Sequence, residues 1–391
     1  MEKENIIQDA VDENGELEEI KEKKTFKQLI KTYVPIPSLV LFFITVLAGG
    51  IHLTCLISES FADFYNRNIG AFVRMVLAYL TGWIPFSLAE TVIIAIPILL
   101  FVLIYLSIKA FKKSDDAATR YVVALFSVLF FLYSIFVLGY GMGYHGTPLS
   151  EKLGLKEQAV SAEQLDKTAR ILLDEIEPLL DKFSYSSSGA SVMPYSLDTM
   201  NDKLNDTYKK VCKKYKFIQD LRSNIKYIVL SEPMTYTHIS GVYSYYTGEA
   251  NLNINFPDYT LPYTAAHELA HQRGIAPENE ANFVAFLVTK ESDDPYIKYS
   301  AYINMLEYII NALYVADPQM YYDLYSEFDP RIRYELFSFS EFFEEYRESV
   351  ASEVSDVVND TYLKTQGQSA GTASYGMVVD LTVAYYMAQD K

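Results

Sequence analysis

Cationic side chains are scarce in this chain. Its 391 residues hold 33 lysines and arginines against 50 aspartates and glutamates, a formal net charge of −17 at pH 7. Nucleic-acid binding needs a basic face, so this balance argues against a nucleic-acid partner. Cysteine is scarcer still, with only Cys55 and Cys212. Cys55 falls in an apolar stretch, so no disulfide between them is expected and neither reads as a metal ligand. Histidine occurs five times, which makes any pair at a chemically meaningful spacing informative. There is no internal repeat and no long low-complexity linker. Tyrosine, by contrast, is abundant at 33 residues, which suits aromatic cores and wet interfaces better than a cofactor box.

Apolar sequence is plentiful and clusters near the N-terminus. Residues 38–57, 91–110 and 121–142 are each close to the roughly twenty residues that a bilayer core requires. Residues 70–90 are apolar too, but Arg74, Gly82, Trp83 and Pro85 interrupt them. That pattern predicts an interfacial or re-entrant helix rather than a fourth span. The first apolar segment has too long a polar leader, and no small-residue cleavage site, for a removable signal peptide. Lys21, Lys23, Lys24, Lys27 and Lys31 precede it, and Lys109, Lys112, Lys113 and Arg120 lie between the second and third segments. Only Arg67 and Arg74 follow the first. The positive-inside rule then puts the N-terminus in the cytoplasm and everything after Met142 outside. The expected organisation is a cytoplasmic, disordered leader (1–35), a transmembrane region of three spans with an interfacial helix (36–142) and an extracellular domain (143–391). Thr147-Pro148-Leu149 reads as the hinge between the last two. His52 reads as a packed or interfacial residue of the first span, and His145 as a juxtamembrane loop residue.

The chemistry concentrates at His267-Glu268-Leu269-Ala270-His271. Histidines four apart on a helix share a face, and two imidazole nitrogens on one face can hold Zn²⁺. A glutamate between them can take a proton from water activated by the metal. Pro262 suits the first turn of such a helix and Gly274 its end. A second helical pattern starts near Pro277, and a carboxylate on it would supply the third ligand. Glu278 and Glu280 both qualify, with Glu278 preferred. Asn282, one turn beyond Glu278, could hydrogen-bond a ligand. The pattern points to a metallopeptidase with Glu268 as general base. For a second oxyanion donor, Tyr243, His238, Tyr375 and Arg273 are candidates.

The run from His267 to Leu287 resembles gluzincin-type metallopeptidases, in which HExxH is followed by an ExxxD or ExxxN helix. Here Asn282 stands where aspartate is commoner. The Glu278-x-Glu280-Ala281-Asn282-Phe283 segment is similar to a helix of ImmA/IrrE-type peptidases. The chain as a whole resembles uncharacterised bacterial membrane proteins with an extracellular zinc-peptidase domain. The matching features are Gly241-Val242-Tyr243, Thr247-Gly248-Glu249-Ala250, the runs around His267 and Glu278, Tyr299-Ser300-Ala301-Tyr302, Asn359, Tyr362-Leu363-Lys364 and Ser374-Tyr375-Gly376. The resemblance implies a fold class of three α-helical spans followed by an α+β, zincin-like, mostly helical domain with a small sheet.

Helical spacing is predicted over 161–183 (with Ser161 as N-cap), 197–215, 298–316, 318–328, 340–362 and 376–387, and a loop over 184–191. Strands are predicted at 225–230, 238–246 and 251–256. In zinc peptidases a strand near the metal helix often offers an open edge to an extended substrate, and residues 247–256 are the candidate. The expected activity is hydrolysis of peptide or protein substrates outside the cytoplasmic membrane, with the lipid bilayer as the other partner. Two alternatives use the same residues: a zinc-binding extracellular sensor or scaffold without turnover, and a cell-wall amide hydrolase. Nothing in the pattern specifies an oligomer.

Overall fold

The computed structural model describes residues 25–156 and 159–389, without the side chain of Tyr375. The expected disordered leader lies, up to residue 24, outside the described residues. Thr25 caps α1 (Phe26–Tyr33) through a capping box with Gln28. Three long apolar helices follow: α2 (Ile36–Ile57), α5 (Leu88–Lys113) and α6 (Asp115–Gly139). Each is long and apolar enough to cross a membrane, as in a multi-pass membrane protein. Between the first two lie α3 (Glu59–Tyr65), a π-turn (Asn66–Gly70) and α4 (Ala71–Gly82). Arg74, read above as a sign of an interface, is fully buried. Its guanidinium donates to Asn66 Oδ1 (2.8 Å), the Asn66 carbonyl (2.8 Å) and the Gly139 carbonyl (3.0 Å).

The chain forms two compact units. The first comprises the described part of Met1–Val46 together with Pro97–Phe131. Within it Ser127 Oγ donates to Ser38 Oγ (3.0 Å) and Tyr121 Oη to the Leu103 carbonyl (2.9 Å). The second comprises Leu47–Ile96 and Leu132–Lys391 and contains the candidate site.

No break in packing falls at residue 142. The third apolar helix ends at Gly139, and Gly141–His145 form a 3-10 turn leading to α7 (Leu149–Lys152). The expected hinge is pinned on both sides. Thr147 Oγ1 donates to Asp63 Oδ2 (2.7 Å), and the Leu149 amide donates to Glu280 Oε1 (2.8 Å).

Ser161 caps α8 (Ala162–Ile176), with Gln164 completing the capping box. The predicted loop at 184–191 contains a small hairpin, β1 (Ser184–Tyr185) with β2 (Ser191–Val192). After α9 (Leu197–Lys214) come β3 (Lys226–Tyr227), α10 (Ser231–Thr235), β4 (Gly241–Ser244) and β5 (Glu249–Leu252). They form a sheet in the order β3-β5-β4, with β5 parallel to β3 and antiparallel to β4.

This corrects two strand expectations. β5 is central, so residues 247–256 offer no open edge; the unpaired edge near the site belongs to β4. The last strand also ends at Leu252 rather than residue 256. Asn253 Nδ2 turns to Thr235 Oγ1 (3.1 Å) and the Ile239 carbonyl (3.0 Å), and Asn255 Nδ2 to Tyr346 Oη (3.2 Å). The asparagines that alternate in the sequence thus fasten loops instead of facing solvent from a strand.

Two helices lie at the centre of this unit, α11 (Leu261–Gln272) and α12 (Glu278–Lys290), both buried over most of their surface. α13 (Pro295–Ala316) packs across them and against α8. Next come α14 (Pro318–Ser326), α15 (Pro330–Glu344), α16 (Val350–Thr365) and α17 (Val378–Gln389). The helix expected over 340–362 is two helices, because Ser349 caps α16 by accepting from the Ser352 amide (2.9 Å). The described chain is mostly helical, with two small sheets.

Candidate metal centre

α11 is held at both ends. Near its start Ser300 Oγ accepts from the Tyr263 amide (3.1 Å) and donates to the Tyr259 carbonyl. At its end Gly274 takes a positive φ of 93°. The Gly274 amide bonds the His271 carbonyl (2.9 Å) and the Ile275 amide the Ala270 carbonyl (3.2 Å), the pattern of a Schellman cap. The chain turns back there, so α12 begins beside His271, only seven residues on.

This turn brings three side chains together. Glu278 Oε2 lies 3.2 Å from His267 Nε2 and 3.3 Å from His271 Nε2. The two imidazoles are nearly perpendicular, with centroids 4.5 Å apart. One ligand atom from each of the three residues lies within 4.8 Å of the others, and all three residues are buried, so the cluster could hold a metal ion. The donor set fits one: His271 Nδ1 sits 2.7 Å from the Ile275 carbonyl, which can only accept. Nδ1 therefore carries a ring proton, which makes Nε2 the nitrogen that would give its lone pair to a metal. Tyr140 Oη also lies 2.8 Å from Nδ1 and donates to the Ala276 carbonyl at 3.4 Å.

The electrostatics follow from three buried ionisable groups sharing a small space. Burial opposes charge on Glu278, yet the two imidazoles hold its carboxyl well below the usual carboxylate range. Burial also disfavours charge on His271, but the Glu278 carboxylate prevails and lifts it to about 9. His267 moves down, through burial and then its charged neighbour His271. Glu268 is pushed up to about 8 by burial. Its Oε2 is buried without a hydrogen-bond partner. Gly241 passes so close that an added Cβ would stand 2.6 Å from Glu268 Oε1.

The other expected residues divide. Glu280 turns away to the Leu149 amide (2.8 Å). Asn282 is buried one turn past Glu278, and its side chain bonds His267 and Tyr308. His238 lines the cavity beside His267 and Glu268, but its Nε2 is held 2.7 Å from the Tyr346 carbonyl. Tyr243 is buried against Tyr140, with ring centroids 5.3 Å apart and its hydroxyl unpartnered. Arg273 is a structural residue. Its guanidinium lies 3.9 Å over the Tyr208 ring and donates to the Leu269 (3.0 Å) and Leu221 carbonyls. Tyr375 falls in the 3-10 turn Gly371–Met377. His52 stacks on His145 at 5.4 Å and bonds Tyr133 Oη, apart from the metal cluster. Sequence reasoning missed Tyr140, Tyr308 and Glu307. Tyr140 is 131 positions from its histidine, with no local pattern to connect them. The other two are visible only as a polar face on α13, at i and i+1 within an apolar helix.

A family model described as a protein of unknown function (DUF3810) matches residues 65–383, which include the whole cluster, Tyr140 and α13. No curated protein and no solved structure matches the chain.

Proposed function

The chain belongs to the DUF3810 family of proteins of unknown function, and we propose that it is a membrane-anchored, zinc-dependent metallopeptidase. The observation that carries this reading is the convergence of His267 Nε2 and His271 Nε2 on one Glu278 oxygen, at 3.2 and 3.3 Å, with Glu268 on the same helix. Two imidazoles and a carboxylate are the donor set of a catalytic zinc site with one position left open, as in a zincin-like fold. Zinc held there would supply Lewis acidity, activating a water molecule and polarising the scissile carbonyl.

The chain's own residues supply the rest. Ile275 and Tyr140 hold His271 through Nδ1, which leaves its Nε2 for the metal, and Asn282 packs its amide beside His267. Glu268 takes the proton of the attacking water on its free carboxylate oxygen and passes it to the leaving amine. β4 has an unpaired edge and begins at Gly241, against that carboxylate. A peptide laid along this edge would pair its backbone with the strand and bring a carbonyl toward Glu268. Lysines and arginines flank the apolar helices so as to keep the N-terminus in the cytoplasm, which places the cluster outside.

The test uses the full-length protein in detergent. Glu268→Gln should bind zinc as the native chain does and lose hydrolysis of a peptide mixture by a factor of about 10² or more. Hydrolysis by that variant at the native rate would overturn the mechanism.

A further inference from the structure

The cavity that opens on His267 and Glu268 has a volume of about 450 Å³ and is lined largely by polar side chains. Its sign of charge is one-sided. Glu307 and Asp356 line it in addition to Glu268, and no lysine or arginine does. Glu307 comes from α13, where Asn304, Glu307, Tyr308 and Asn311 fall on one face at spacings of three and four. Its carboxyl makes no ion pair or hydrogen bond among the described residues. Glu307 is partly buried and its carboxyl is open to the cavity, so its unpaired charge is best met by a cation brought in from that side. Burial alone lifts the carboxyl to about 7.

Asn304, one turn before Glu307, is oriented by the backbone. Its Nδ2 donates to the Ser300 (2.7 Å) and Tyr259 (3.3 Å) carbonyls. Both amide hydrogens are thereby used, which leaves Oδ1 as an acceptor toward the cavity. A carboxyl and an amide oxygen one helical turn apart, in a cavity without protein cations, make a receptor for a donor-only group.

We propose that Glu307, assisted by Asn304, forms the subsite that receives a lysine or arginine side chain of the peptide substrate. The inference rests on the peptidase reading for its substrate, but the cation site can be tested without turnover. In the cleavage arm, full-length protein is given two peptides that differ only in lysine against norleucine next to the scissile bond. The native chain should prefer lysine by at least about tenfold in kcat/KM. Glu307→Gln should equalise the two while still cutting the norleucine peptide, and Glu307→Asp should keep part of the preference. A preference that survives in Glu307→Gln overturns the proposal.

In the binding arm, N-acetyl-lysine amide and its norleucine counterpart are titrated onto metal-loaded native and Glu307→Gln proteins and followed by NMR. Selective weakening of the lysine ligand in the variant supports the subsite, and equal binding in both proteins overturns it. Absence of cleavage of every peptide would defeat the peptidase reading alone and leave the binding arm to decide on the cation site.

Discussion

Glu278 and Glu280 stand two positions apart on one helix and therefore face different ways. Glu278 meets both imidazoles, whereas Glu280 accepts from the Leu149 amide. Replacing each in turn separates the roles. Glu278→Ala should purify with little metal, and Glu280→Ala with native metal content but a lowered melting temperature; elemental analysis and thermal unfolding read the two. The three cluster residues were legible because HExxH and the following carboxylate are encoded within twelve residues, where helical geometry alone brings them together. Arg273 was misread for the opposite reason. It is adjacent to the motif in sequence, but its guanidinium is claimed by Tyr208 and Leu221, which lie on other elements. A residue's neighbours in the chain say little about where a long side chain ends.

At the scale of elements, the turn between α11 and α12 does most to assemble the site. Its Gly274 combines a left-handed backbone with close approach, since an added Cβ would lie 2.4 Å from Arg74 Nη2. Gly274→Ala should therefore destabilise the protein by about 2 kcal/mol or more and reduce metal occupancy; calorimetry together with metal analysis checks both effects. The sheet is held on its other side by charge. Lys226 Nζ donates to the carbonyls of Thr81 (3.0 Å), Gly82 (3.4 Å) and Ile84, and Glu249 accepts from the Leu88 (3.2 Å) and Ala89 (3.0 Å) amides at the start of α5. Each ion thus satisfies a helix end that would otherwise leave orphan groups. Helices were largely readable from periodicity and capping residues, as with Ser161. Strand order was not, because two- to four-residue strands carry almost no alternation, and only the pairing shows that β5 is flanked on both sides.

For the molecule as a whole, the buried cluster couples stability to pH. In the metal-free protein His271 sits at about 9 instead of 6.5, so its contribution is full below pH 6.5 and lost as pH rises through 9. Glu268 stays neutral in the fold to about 8, while in the unfolded chain it ionises from 4.5, which also erodes stability as pH climbs. Glu278 acts in the opposite sense, contributing above 4.5 and losing its effect as pH falls below it. With a chelator present, the melting temperature should peak near about pH 5 to 6 and decline toward pH 9. Zinc should flatten the decline, because its ligands are needed deprotonated. A series of thermal scans with and without metal measures this, and a chelated protein that becomes more stable toward pH 9 would contradict it. Tyr140 follows directly on the third apolar helix, yet its hydroxyl bears on the imidazole of His271, and Asn66 Nδ2 reaches the Gly274 carbonyl (2.8 Å) just past the motif. A fragment begun at residue 143 would therefore be missing part of the scaffold around its own candidate metal cluster. Expression of the intact polypeptide with lipid or detergent is the route to an authentic preparation.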